Sequence, residues 1–120
     1  MNYSFIAEGK PQVKQRPRMT RRGRVFTPER TLLAEQAVAA QYEGPLFEGP
    51  VSVEMRFAID HISIHITDLD YQPIKGLRGD LDNYIKMVAD GLNGVAWVDD
   101  RQIKSIYAYF DTAVNTQLAT

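Results

Sequence analysis

Val51-Ser52-Val53-Glu54-Met55-Arg56-Phe57-Ala58-Ile59 alternates without error, apolar residues at the odd positions. That period of two is the signature of a half-buried β-strand. Ile62, Ile64 and Ile66 alternate again on the opposite parity, so the register breaks near Asp60-His61, through a bulge or a bend. His61 and His65 share the polar face of this second run, which reads as a solvated strand face rather than a ligand pair.

Downstream, Leu81, Tyr84, Ile85, Val88 and Leu92 keep the i, i+3, i+4, i+7, i+11 spacing of an amphipathic helix over Asp80 to Leu92, and Asn93-Gly94 closes it. A loop from Thr67 to Gly79, punctuated by Pro73 and Gly76, precedes it. After it come the apolar Val95 to Val98, a turn at Asp99-Asp100, a final strand over Gln102 to Phe110, and a flexible polar tail at 112–120. Upstream, Tyr3 to Glu8 is a strand with Tyr3, Phe5 and Ala7 on one face. Residues 9–27 form a long basic loop with a short extended piece at Val25-Phe26. Loops of that length are often functional. Thr27-Pro28-Glu29 starts a helix, with Thr27 as N-cap and Pro28 in the first turn. It runs to about Tyr42 with Leu33, Ala37 and Ala40 on one stripe and Leu32 beside it, and Gly44-Pro45 ends it. The order β-α-β-β-α-β, with no repeat and no internal boundary, predicts one small α+β domain over 1–120, a mixed β-sheet carrying two main helices.

Composition narrows the chemistry. At 120 residues, 44% hydrophobic and 24% charged, the chain is globular rather than disordered. The absence of cysteine excludes disulfides, thiolate metal sites and thiol catalysis, and two histidines are too few for most histidine-built metal centres. No stretch approaches the length of a membrane span, and the start Met1-Asn2-Tyr3-Ser4-Phe5 lacks a signal peptide's basic segment and apolar run. These features predict a soluble, cytoplasmic protein.

The formal charge of −1 hides a separation. Lys10, Lys14, Arg16, Arg18, Arg21, Arg22, Arg24 and Arg30 face only Glu29, so eight positive charges against one leave +7 between residues 10 and 30. Asp60, Asp68, Asp70, Asp80, Asp82, Asp90, Asp99 and Asp100 face Lys75, Arg78 and Lys86, and eight against three leave −5 between residues 60 and 100. A basic arm suits a polyanion and an acidic centre suits metal cations.

The informative segment of the acidic centre is Arg78-Gly79-Asp80-Leu81-Asp82-Asn83-Tyr84-Ile85-Lys86. Inside an ideal helix, residues i and i+2 lie about 200° apart and cannot share a ligand. With Asp80 as a non-helical N-cap, its carboxylate and that of Asp82 can converge beyond the helix end, and Asp-x-Asp-Asn offers the oxygen donors that hard cations take. Asp82, Lys86 and Asp90 then follow one another along the polar stripe, where Lys86 meets a phosphate or pairs with Asp82. The plainer account has Asp80 capping, Asp82 complementing the helix dipole and Lys86 in a surface pair. The second acidic pair, Asp99-Asp100, can return beside the same helix end, and such a carboxylate group points to Mg²⁺ or Mn²⁺ rather than zinc. One or two such ions would activate water against a phosphodiester.

Taken in order, several segments resemble the RusA family of Holliday junction resolvases, in the form common in phages and prophages. They are Lys10-Pro11, Arg16-Pro17-Arg18, Phe26-Thr27-Pro28, Gly79-Asp80-Leu81-Asp82-Asn83 with Lys86, Asp90-Gly91-Leu92-Asn93, and Trp97-Val98-Asp99-Asp100-Arg101-Gln102-Ile103. The resemblance implies a Mg²⁺-dependent homodimeric endonuclease (Mn²⁺ is the alternative ion) that cuts symmetrically placed strands of four-way junction DNA. It implies no membrane and no small-molecule cofactor. Carried over by position, Asp80, Asp82 and Asp100 match the family's essential acids and Lys86 its essential lysine; Asp99 supports them at the metal, and Asn83 and Asp90 support the site's packing. The segment from Lys10 to Arg24 departs from the Pro-Pro-Ser-Asn-type stretch of cellular members. In it Lys10, Lys14, Arg16, Arg18, Arg21, Arg22 and Arg24 would contact DNA phosphates, with recognition mainly of junction shape. Two other readings stand beside this one: a flap- or fork-selective nuclease using the same site, and a non-catalytic module that binds branched DNA.

Overall fold

The alternation at 51–66 resolves into two strands, as its two runs predict. In a computed structural model that describes residues 1–15, 18–26 and 28–113 (for Arg18 and Phe26 the backbone only), β4 spans Val51–Phe57 and β5 spans His61–Asp68. The chain reverses tightly at Ile59-Asp60, where the Ala58 N–H donates to the His61 carbonyl at 2.9 Å. Phe57 then faces Ile62 and Met55 faces Ile64. The parity switch at Asp60-His61 is therefore a hairpin turn, not a bulge or a bend. Antiparallel partners of opposite parity share a face, and both apolar runs land on the same side of the sheet.

The first strand, β1 at Asn2–Glu8, pairs antiparallel with the other edge of β5, so the order is β1-β5-β4. Tyr3, Phe5 and Ala7 stand opposite Ile66, Ile64 and Ile62 on the apolar face, as the alternation predicts. The helix α1, Glu29–Ala40, covers the β1 side of that face. Tyr42 packs edge-on against the rings of Tyr3 and Phe5 at centroid distances of 5.1 and 5.3 Å. The Gln41 amide clamps the two elements: its Oε1 accepts from the Glu8 N–H at 2.6 Å and its Nε2 donates to the Glu8 carbonyl at 3.1 Å. Ala7 beneath is buried, while Val51, Val53, Met55 and Phe57 of β4 stay exposed.

The face that α1 turns inward differs from expectation. Thr31 is buried and Ala34 and Val38 are half-buried, whereas Leu32, Leu33, Ala37 and Ala40 are exposed. Alanine-rich helices carry small apolar residues all round, so periodicity does not select a face. What selects it here is polar: the Thr31 hydroxyl accepts the Gln15 backbone N–H at 3.0 Å. Pro28 takes the N-cap position with extended backbone (ψ 142°); the proposed cap Thr27 lies outside the described residues.

Residues 9–27 are not a loop throughout. Arg18–Met19 (β2) and Val25–Phe26 (β3) form a two-stranded antiparallel hairpin, with Met19 opposite Val25. Its tip is a β-turn in which the Gly23 N–H donates to the Thr20 carbonyl at 2.9 Å, closed by Thr20 N–H to the Arg24 carbonyl at 2.7 Å. Gly23 sits at φ +82°, which this three-residue connection requires and a side chain would resist.

The described chain packs as two compact units that meet at Leu69-Asp70, within the predicted Pro- and Gly-punctuated loop. The first holds the sheet, the hairpin and α1. The second holds the helix α2, Leu81–Leu92, and a short 3-10 helix, Asp100–Gln102. Tyr84 of α2 meets Phe110 edge to face at 5.8 Å, and α2 with residues 102–110 lines an open, mostly apolar groove of ≈ 900 Å³. The predicted strand over Gln102 to Phe110 does not form: these residues carry no ladder, and only Thr112 bridges to Pro73. The α+β class stands, but the three-stranded sheet is antiparallel throughout rather than mixed. Of the predicted tail, the Ala113 N–H donates to the Gln72 carbonyl at 3.1 Å, and 114–120 lie outside the described residues.

Candidate active site

The acidic segment folds as its spacing predicts. Asp80 is the N-cap of α2, with extended backbone (φ −72°, ψ 151°), and its carboxylate makes no capping hydrogen bond. A cap residue normally spends its side-chain oxygen on the N2 or N3 amide; here that oxygen stays available to a ligand. Asp82 occupies the first turn, where the helix dipole favours a negative charge. A glycine suits position 79 because a Cβ there would meet the Tyr84 ring at 3.0 Å, while its N–H donates to the Tyr84 hydroxyl at 3.1 Å. Lys86, one turn beyond Asp82, is exposed and makes no ion pair among the described residues, so the surface pair with Asp82 does not form. Asn83 and Asp90 are exposed on the same helix.

The second acidic pair is held by its own neighbours. Trp97 donates its indole N–H to Asp100 Oδ1 at 2.7 Å, an anchor that the spacing of the acids does not reveal. Asp99 caps the 3-10 helix: its Oδ1 accepts from the Arg101 N–H at 2.8 Å, and the Gln102 Oε1 accepts in return from the Asp99 N–H at 3.0 Å. The Arg101 amide, and then its guanidinium at 3.3 Å, hold the Asp99 carboxyl below the usual aspartate range. A depressed folded-state pKa contributes stability that is complete above the unfolded value and fades as pH falls through the folded one. The Arg101 amide resonance should therefore keep its capped position through the range in which a free aspartate titrates, and shift only at more acidic pH. A shift centred in the ordinary aspartate range in an NMR titration would contradict the cap.

The two pairs are not gathered. Among the described residues no three Asp, Glu, His or Cys side chains form a metal-sized group. Carboxylates brought together repel, so a cation is what would draw them in. The donor set is chemically suited to one: all oxygen, with no thiolate or imidazole, as Mg²⁺ and Mn²⁺ prefer. His61 Nδ1 contacts Asp60 at 2.8 Å and His65 contacts Ser4.

The basic residues lie in the first unit. Arg21 and Arg22 form the hairpin tip with Arg24 beside it, all exposed. Lys10 is exposed, and Lys14 lies 3.0 Å from Glu35 in an open pair of the kind that contributes little. Arg16 falls outside the described residues, and Arg18 is placed by its backbone in β2. Comparison with known families settles the kinship, since residues 8–118 match the family model described as Endodeoxyribonuclease RusA.

The chain belongs to the RusA family. The matched span takes in the basic hairpin, the Asp80-Leu81-Asp82-Asn83 segment with Lys86, and the Asp99-Asp100 pair. Membership assigns it to the endodeoxyribonucleases. No curated protein and no solved structure matched it. Among the described residues no helix is long and apolar enough to cross a membrane.

Proposed function

We propose that this RusA-family chain is a divalent-cation-dependent endonuclease that resolves four-way DNA junctions by paired, symmetric cuts, acting as a homodimer. The observation that carries the reading is the N-terminus of α2. There Asp80 makes no capping hydrogen bond at an extended cap, with Asp82 two residues on and, one turn beyond, Lys86 without an ion pair among the described residues. Asp80, Asp82 and Asp100, supported by Asp99, would hold Mg²⁺ or Mn²⁺. A bound divalent ion supplies Lewis acidity and an activated water for phosphodiester hydrolysis.

The chain's own groups do the rest. Lys86 offsets the charge that grows on the phosphate oxygens. Its lack of a carboxylate partner leaves it free to do so. Trp97 fixes one oxygen of Asp100 and so presents the other. The exposed arginines of the hairpin bind phosphates without reading bases, which makes affinity salt-dependent and recognition a matter of shape. Two sites related by a twofold axis suit two symmetric nicks.

An immobile four-way junction, a fork, a flap and the matching linear duplex, each with Mg²⁺, Mn²⁺ or EDTA, test this reading. Cation-dependent nicking of the junction alone supports it. Preference for the fork or flap transfers the site to those substrates, and binding without cutting in either cation makes the chain a binding module. Within that assay, Trp97→Phe keeps an aromatic ring, though a smaller one, but removes the donor to Asp100. Cutting should slow by about tenfold and need more Mg²⁺ for half-maximal rate, with junction binding in EDTA unchanged. An unaltered Mg²⁺ dependence would remove Trp97 from the site.

A further inference from the structure

The hairpin formed by β2 and β3 carries an apolar pair that its fold leaves uncovered. Met19 and Val25 stand directly opposite each other, on one face of a two-stranded ribbon, and are 69% and 61% exposed. The next pair, Thr20 and Arg24, falls on the other face by strand alternation, with Arg21 and Arg22 at the tip between them. None of Arg21, Arg22 and Arg24 makes an ion pair among the described residues. The tip is not slack, since two backbone hydrogen bonds and the Thr20 hydroxyl, which accepts the Arg24 N–H at 3.0 Å, hold it in one turn.

We propose that this hairpin is a wedge for the branch point of DNA, with Met19 and Val25 covering an unstacked base-pair face while Arg21, Arg22 and Arg24 hold the phosphates around it. The inference rests on the reading of the chain as a nuclease of branched DNA and names how that substrate is recognised. Three properties of the ligand match the three properties of the hairpin. A two-stranded ribbon fits a DNA groove. Apolar side chains, methionine among them, are the kind that insert at interrupted base steps. Where duplex arms meet, the stack is interrupted and phosphates crowd together, so an apolar pair ringed by arginines finds both surfaces at once. A continuous duplex offers the arginines their phosphates but offers Met19 and Val25 nothing to cover.

That asymmetry gives the test, made on the full chain in EDTA with a four-way junction and the matching linear duplex. Met19→Gln with Val25→Thr keeps side-chain size and strand propensity but removes apolar character. This double variant should lose about tenfold in junction affinity and leave duplex affinity unchanged. Met19→Leu with Val25→Ile, which keeps the apolar surface, should retain the preference and so separates a lost wedge from a damaged hairpin. A 2-aminopurine beside the branch should brighten with the wild-type protein and stay dim with the polar variant. Arg21→Ala with Arg22→Ala should weaken both DNAs together. If the polar variant distinguishes junction from duplex as well as the wild type does, the wedge is wrong and the nuclease assignment stands. If the wild type itself shows no preference for the junction, the proposed substrate fails and the wedge with it.

Discussion

Asp82→Asn should still bind a four-way junction but cut it at least about 10³-fold more slowly than the wild type. The substitution removes one anionic oxygen donor from the α2 N-terminus and changes almost nothing else. Asp82 is exposed and makes no ion pair or side-chain hydrogen bond among the described residues. The cost to the fold is the dipole interaction of a first-turn acid, about 0.3–1 kcal/mol, too little to unfold the chain. Binding in EDTA should hold or tighten, because one negative charge is removed near a polyanion. Single-turnover cutting beside electrophoretic binding separates the two, and a parallel loss of both would make Asp82 structural.

Lys86→Ala should be the next most damaging change, slowing cutting by about 10²–10³-fold while altering junction affinity by less than about threefold. A lysine paired with Asp82 would be a surface ion pair whose removal matters little. Exposed, and unpaired among the described residues, Lys86 has no structural work to lose. Any large effect of the substitution must then arise where charge develops on the phosphate. Rates measured at saturating enzyme report the chemical step alone. An equal fall in affinity for junction and duplex would place Lys86 among the ordinary phosphate contacts instead.

What the sequence reveals of this fold depends on how much each element declares itself locally. The α2 helix and its cap are legible because Leu81, Tyr84, Ile85 and Val88 keep strict spacing and Asp80 follows a glycine. The sheet is legible because Tyr3 to Ala7 and Val51 to Ile66 alternate. Its turn was hidden, since Ile59-Asp60 carries neither glycine nor proline and a parity switch fits a bulge as well as a reversal. The β2–β3 hairpin escaped because its strands are two residues each; the one local signal was Gly23, three residues after Thr20. Gln102 to Phe110 has strand-like residues, but pairing is decided by a partner strand that local sequence does not name. Of the candidate site, the individual acids and Lys86 were readable from residue type and spacing. The Trp97 anchor and the Asp99 cap were not, since both depend on the turn that Val95 to Gln102 makes.

The central claim is that the acids at the head of α2 cut branched DNA. A four-way junction labelled on each strand in turn, incubated with Mg²⁺ and the wild-type protein or Asp82→Asn, tests it most directly. The account predicts nicks at symmetric positions in two opposed strands with the wild-type chain, none in the linear duplex, and none in either DNA with the variant. Equal cutting of junction and duplex, or junction cutting that survives Asp82→Asn, would contradict it.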